Sequence, residues 1–388
     1  MDEQDVAAWL VSSDATPWLE RAARERDLDS LATADRWRRE LPPDQAAAVL
    51  GQASLRRAAV AKLGERAAGL FLTRDGLEQA TRGLVARWRA TRLVGTGITE
   101  VWDLGCGLGI DALAMSEGGL RVTAVEKDPV TATFAAANLG PATPVVLADV
   151  ADLYDAVPAD AGVFLDPARR TGRGRSWDVA DLSPSWDVVS RYVDAGRVAC
   201  VKLGPGVPYR LLPEVAETVW VSEHGDLVEA ALWTGTGSTP GRRSALLLPS
   251  GASLCATAEA PRIGPVQGWL YEPDPAVIRS GSLAALAGLL DATSVAPGVA
   301  YLTAEEHRPT PYATAFEVLA SLPYRERDLR AWVRAERIGT LEIKKRGLDV
   351  DPAALRRRLE PKGPGSATLV LTPTPDGAVA LVVRRVAA

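Results

Sequence analysis

Residues 101–111 read Val-Trp-Asp-Leu-Gly-Cys-Gly-Leu-Gly-Ile-Asp, a β-branched and aromatic run that breaks into three alternating glycines. A strand ending this way must turn at once, and glycine lets the backbone both turn and approach a ligand without a Cβ in the way. The next short apolar run ends in an acid, Val122-Thr-Ala-Val-Glu126. A glycine turn and a carboxylate one βαβ half-unit apart describe a nucleoside-binding crevice at the carboxyl edge of a parallel sheet. A carboxylate at Glu126 can accept both hydroxyls of a ribose.

The surrounding pattern supports an α/β chain. Residues 1–95 read as helices: Thr16-Pro17 places a cap before a proline at the first helical position, 46–63 carries apolar residues near helical spacing, and Thr73 caps a helix running to Leu93. From about residue 98 short apolar runs alternate with helical segments. These runs are 100–104, 121–125, 144–147, 161–165, 197–202 and 218–221, the signature of a parallel sheet with helices on both faces. Two further runs, 228–233 and 244–248, flank a turn-rich loop and are predicted to form a hairpin that adds an antiparallel strand. The stretch 250–268 reads as a linker. Beyond it an α+β pattern is predicted: a helix from Asp274-Pro275 to Leu290, strands at 299–303, 314–322 and 340–344, helices at 325–337 and after Asp351-Pro352, and a final hairpin about Asp376-Gly377. The expected division is a helical region over 1–95, a nucleoside-binding domain over 96–250 and an α+β domain over 265–388.

Composition excludes several classes. The 388 residues carry a net charge of −5, so anionic partners must be met by local patches. Cys106, Cys200 and Cys255 show no paired spacing and His224 and His307 are the only histidines, which argues against a metal site or disulfide framework. No apolar run approaches a membrane span, so a cytoplasmic protein without membrane contact is expected.

The glycine segment resembles motif I of the class I S-adenosylmethionine (SAM) methyltransferases, an acid followed by x-Gly-x-Gly-x-Gly, here Asp103, Gly105, Gly107 and Gly109. The resemblance implies a Rossmann-like seven-stranded sheet, SAM as cofactor, and these four residues at its methionine part with Glu126 at the ribose. Asp149 matches the position that contacts the adenine amino group, and Asp111 faces the donor's positive end. Gln79 and Thr81, just before the first strand, are further candidate contacts, an ordinary polar helix face being the alternative. Phe164-Leu-Asp166-Pro167-Ala-Arg-Arg falls where the family carries motif IV. Asp166 and Pro167 match it, while Ala168 and Arg169 replace its second proline and aromatic ring. The implied role is catalytic: Asp166 orients the methyl acceptor. Cys200, inside an apolar run, reads as a strand residue, and Lys202 after it either lines the site mouth or simply ends the strand.

Arg169, Arg170, Arg173 and Arg175 follow motif IV closely, and their guanidinium groups suit a nucleic-acid backbone. With 38 arginines in the chain, a solvated loop is the competing reading. Segment 324–362 holds twelve basic and seven acidic residues, including Lys344-Lys345-Arg346. Together with Glu306-His-Arg-Pro and Leu341-Glu-Ile-Lys-Lys-Arg-Gly, it resembles the THUMP-like domain of a bacterial methyltransferase family, whose wider group binds structured RNA. The resemblance implies methylation of a tRNA or rRNA base, with Lys344, Lys345 and Arg346 at the RNA. A SAM-binding RNA protein without catalysis and a NAD-dependent oxidoreductase are the alternatives.

Overall fold

A computed structural model describes residues 2–169, 181–194 and 196–386, the side chains of Ala168 and Arg169 excepted. The chain divides into two compact units, Met1–Glu217 with Ala230–Gly241, and Thr218–Glu229 with Arg242–Ala388.

The first unit opens with helices α1 (Glu3–Leu10), α2 (Thr16–Ala23), α3 (Leu31–Trp37), α4 (Pro43–Leu63), α5 (Arg74–Gln79) and α6 (Gly83–Gly95). Their apolar faces bury Leu10, Leu19, Trp37, Val49 and Leu63, and this core runs on to Leu108 and Phe134. Thr16 is the first helical residue of α2 and makes no cap; Ala15 holds that position. Thr73 does cap α5, accepting from the Gly76 amide. The single helix expected from 73 to 93 is instead two, because Ala80 and Arg82 have extended backbone (ψ 140° and 142°).

Alternation of strand and helix follows: β1 (Glu100–Leu104), α7 (Ile110–Glu117), β2 (Arg121–Glu126), α8 (Pro129–Leu139), β3 (Val145–Leu147), β4 (Gly162–Leu165), the short pair β5 (Ala168–Arg169) and β6 (Leu182–Ser183), α9 (Trp186–Asp194) and β7 (Ala199–Leu203). The parallel strands lie in the order β3-β2-β1-β4-β7. Residues 230–234 of β9 (Asp226–Thr234) pair antiparallel with β7. Val163, Phe164, Leu165, Cys200 and Val201 are all buried, as expected where helices cover both faces of a parallel sheet. Each of the six predicted runs from 100 to 221 overlaps a strand, though 144, 161 and 197–198 lie just outside.

In the second unit, β10 (Arg243–Leu248) pairs parallel with β8 (Glu217–Glu223) and antiparallel with β11 (Ala252–Cys255). The predicted hairpin between 228–233 and 244–248 is therefore corrected, and part of the expected linker is strand. The remaining strands are β12 (Trp269–Pro273), β13 (Thr293–Ser294), β14 (Leu302–Ala304), β15 (Ala313–Pro323), β16 (Ile338–Lys345), β17 (Gly365–Thr374) and β18 (Gly377–Arg385). They form one sheet in the order β13-β14-β12-β15-β18-β17-β16, antiparallel except for β16 with β17. The helix expected over 275–290 divides at Gly281 (φ 82°) into α10 (Pro275–Ser280) and α11 (Leu283–Leu290).

Period-two patterning builds two cores on this sheet. Leu369, Leu371, Ala380 and Val382 pack with Leu329 and Val333 of α12 (Glu326–Ala335) and Leu355 and Leu359 of α13 (Pro352–Leu359). The intervening Val370, Leu381 and Val383 pack instead with Leu270, Tyr301 and Phe316. Asp351 caps α13 through the amides of Ala353 and Ala354, as its Asp-Pro signature predicts.

Backbone crowding fixes one edge. The β16–β17 register shifts at Gly339, where an added Cβ would fall 1.8 Å from the Gly363 carbonyl oxygen. That atom is backbone and cannot swing aside. Gly339→Ala is expected to lower stability by at least about 1–3 kcal/mol, read as an earlier midpoint in urea unfolding. An unchanged midpoint would contradict this packing.

Candidate active site

Strand ends bring the acids together. Asp103 lies on β1 and is fully buried, with no hydrogen-bond partner for either carboxylate oxygen among the described residues. Burial is the main cause of a carboxyl pushed well above the usual range, and the nearby charges of Asp111, Asp166 and Glu126 add to it, against the opposing pull of Arg89.

After β1 the chain turns through Gly105 (φ 91°), Gly107 (φ 55°) and Gly109 (φ 78°), all left-handed conformations that favour glycine. A Cβ on Gly105 or Gly107 would meet nothing within 4 Å, so the loop faces open space. The Gly105 and Cys106 amides both donate to the Val125 carbonyl, which ties the loop to β2. At the end of β2, Glu126 accepts from the amides of Gly107 (3.0 Å), Lys127 (2.9 Å) and Asp128 (2.9 Å). A carboxylate offers about four lone-pair sites, so the side chain is locked in orientation with capacity left. Asp128 caps α8 through the Thr131 amide.

Asp111, in the first turn of α7, takes a hydrogen bond from the Thr81 hydroxyl (2.6 Å) and a buried ion pair from Arg89. The Arg89 guanidinium lies 4.4 Å from the Phe164 ring centroid. Asp166 directly follows β4 and pairs with Lys202 at 2.5 Å. Asp149 accepts from the Ala151 amide.

These groups surround one cavity of about 270 Å³. Of the candidate residues, Gln79, Thr81, Gly105, Gly107, Asp111, Glu126, Asp149 and Asp166 line it, whereas Asp103, Gly109 and Pro167 do not. Arg170, Arg173 and Arg175 lie outside the described residues, as does the Arg169 side chain. In the second unit Lys344 pairs with Glu272 (2.7 Å), Lys345 donates to the Leu348 carbonyl, and Arg346 donates to the Ala300 carbonyl and lies over the Tyr301 ring. Cys200 is buried on β7.

Sequence reasoning missed Arg89. It falls in the buried stripe Val85, Ala86, Arg89, Ala90, Leu93 of α6, and a cation inside an apolar stripe signals a buried anionic partner. Lys62 was also missed. Among the described residues no group of three or more His, Cys, Asp or Glu is arranged to hold a metal, and no helix is long and apolar enough to cross a membrane.

Comparison with known proteins places this geometry in context. The chain is similar to an uncharacterized S-adenosylmethionine-dependent methyltransferase of Mycobacterium tuberculosis, found in strains H37Rv and CDC 1551. They are 35% identical over 332 residues, covering 82% of this chain and 90% of the relative. It is also similar to ribosomal RNA small subunit methyltransferase J of Laribacter hongkongensis, 34% identical over 214 residues, covering 50% of this chain and 72% of that enzyme. Residues 313–385 match the family model described as THUMP domain-like. A Porphyromonas gingivalis W83 protein solved as a candidate methyltransferase matches over 100% of both chains with a TM-score of 0.80 at 22% identity, a likeness of fold.

The buried Asp103 carboxyl makes stability depend on pH. Below about pH 4 it is protonated folded or unfolded and contributes no difference. As pH rises the unfolded chain gives up this proton and the folded chain keeps it, so stability falls, by at most about 1.4 kcal/mol per pH unit, until the raised folded value is reached. In thermal melts without ligand, the gain of Asp103→Asn over the parent protein is therefore expected to grow from pH 4 to 7. A gain that stays flat across this window would contradict the assignment.

Proposed function

The chain belongs to the S-adenosylmethionine-dependent methyltransferases, and we propose that it methylates a base of RNA at the Asp166 end of the cavity. Membership of this family sets aside the oxidoreductase and non-catalytic readings. The observation that carries the proposal is that Asp166 lines the same cavity as the glycine loop and Glu126.

The residues present fit the donor. The glycine loop opens onto space a ligand can fill, Glu126 keeps one acceptor site for a ribose hydroxyl, and neither oxygen of the buried Asp103 has a hydrogen-bond partner among the described residues. In the proposed complex Gly105 and Gly107 cradle the methionine part and Gly109 turns the loop behind them, while Asp103, buried beneath the loop, attracts the positive charge through space. Glu126 receives a ribose hydroxyl at the acceptor site left on Oε2, and Asp149 the adenine amino group. Gln79 and Thr81 form the wall beside them. Asp111 acts by holding Arg89 and Thr81, since both its oxygens are engaged.

When bound, SAM supplies a methyl group already activated by its sulfonium. The protein's task is then alignment: Asp166 accepts a hydrogen bond from the attacking group and holds its lone pair in line with the methyl carbon. Pro167 fixes the backbone that presents the Asp166 carboxylate. The proton released from the acceptor leaves through Asp166 or water.

RNA as the acceptor is supported by the similarity to an enzyme named for ribosomal RNA over half the chain and by the THUMP-like domain. Arg169, Arg170, Arg173, Arg175, Lys344, Lys345 and Arg346 are proposed to meet its phosphates.

The test is transfer of labelled methyl from SAM to ribosomal RNA or tRNA transcribed in vitro, followed by nucleoside mass spectrometry. One methylated nucleoside is expected. Asp166→Ala should lower its rate about 100-fold or more while S-adenosylhomocysteine affinity stays within a few-fold. Label in protein or small molecules alone would refute RNA as substrate, and equal turnover by the variant would refute the role of Asp166.

A further inference from the structure

Among the carboxylates that line or underlie the cavity, Asp103, Asp111, Glu126 and Asp166 differ in their compensation. Asp111 is paired with Arg89, Glu126 is held by three amides, and Asp103 has no hydrogen-bond partner among the described residues. Asp166 is paired with a cation whose position follows from strand register. Leu165 of β4 stands opposite Val201 of β7, so the next residues on each strand, Asp166 and Lys202, emerge side by side at the sheet's carboxyl edge. Their side chains are 29% and 15% exposed, and the ammonium meets the carboxylate at 2.5 Å.

The same ammonium donates to the Gln79 carbonyl at 3.2 Å. Lys62 donates to the two carbonyls before it, Leu77 (2.9 Å) and Glu78 (2.7 Å). Two lysines thus hold three successive carbonyls at the end of α5, where the helix dipole favours cations. Gln79 and Asp166 both line the cavity, so Lys202 joins two of its walls.

This pairing has a consequence for catalysis. A sulfonium carries its positive charge in the ground state and loses it as the methyl departs. A bare carboxylate beside it would stabilise the donor more than the transition state, which lowers turnover. We propose that Lys202 is a positioning residue for methyl transfer: its ammonium holds Asp166 against the Gln79 carbonyl, so that Asp166 serves the methyl acceptor instead of acting as counter-ion to the donor's sulfonium. This rests on the assignment of the cavity to SAM and is independent of which acceptor is used.

The test compares binding of SAM with that of S-adenosylhomocysteine, which lacks the methyl group and the charge, by calorimetry without any acceptor. Damage to the shared parts of the pocket affects both ligands and cancels in the ratio of their affinities. Lys202→Met is expected to raise the preference for SAM about 5- to 10-fold, because it frees the Asp166 charge. Lys202→Arg keeps a cation and should stay within about 2-fold of the parent ratio. Adding Asp166→Asn to Lys202→Met should restore the parent ratio. Should Lys202→Met not fold, Asp166→Asn alone leaves the ammonium facing the donor and is expected to lower the ratio about 5-fold. A ratio unchanged in Lys202→Met or in Asp166→Asn would overturn the proposal, as would a change in Lys202→Met that persists in the double variant. Failure of the parent protein to bind either ligand would overturn the donor-site assignment itself; failure to methylate RNA would leave this ratio intact.

Discussion

A carboxyl group buried without a hydrogen-bond partner is costly, and Asp103 occupies that position on the central strand. Burial, with the charges of Asp111, Asp166 and Glu126 nearby, pushes this carboxyl well above the usual range, against the weaker pull of Arg89. Every other acid near it is held by something internal: a guanidinium at Asp111, an ammonium at Asp166, and three amides at Glu126. The proposed donor brings one positive group near the glycine loop and another at its sulfonium. In this account the internal pairings decide which acid answers which charge.

Parallel register makes the arrangement possible. Asp103 on β1 stands opposite Ala124 of β2 and Phe164 of β4, so Glu126 and Asp166 each emerge two residues further along their strands. Helix α6 then presents Arg89 to both Asp111 and the Phe164 ring. Strong packing of the apolar strands, rather than the polar groups themselves, holds these distances. Breaking one buried partner would leave the other charge uncompensated, which is why Arg89 and Asp111 act as a unit.

Much of this was legible in the residues. Three glycines at alternate positions announced their left-handed turns, and short apolar runs bounded by turn signals announced six strands. Asp351-Pro352 and Asp376-Gly377 marked a helix start and a hairpin by local chemistry alone. What stayed hidden depends on distant partners. The break at 80–82 contains neither glycine nor proline; it arises because Thr81 reaches Asp111 and lysines from α4 and β7 hold the carbonyls of α5. Likewise a turn-rich loop between 233 and 244 suggested a local hairpin, whereas residues 243–248 pair parallel with 218–223. The roles of the acids follow from their compensation, and pairing across 22 to 36 residues, as in Arg89–Asp111 and Asp166–Lys202, leaves no periodic trace.

The most direct measurement is the proton balance of donor binding, taken by calorimetry at neutral pH in buffers of different ionisation heat. A cationic ligand group near Asp103 pulls its raised carboxyl value back down, so SAM binding is predicted to release up to about one proton, and Asp103→Asn is predicted to bind without that release. Binding that exchanges no proton, or release that is the same in the variant, would contradict the account.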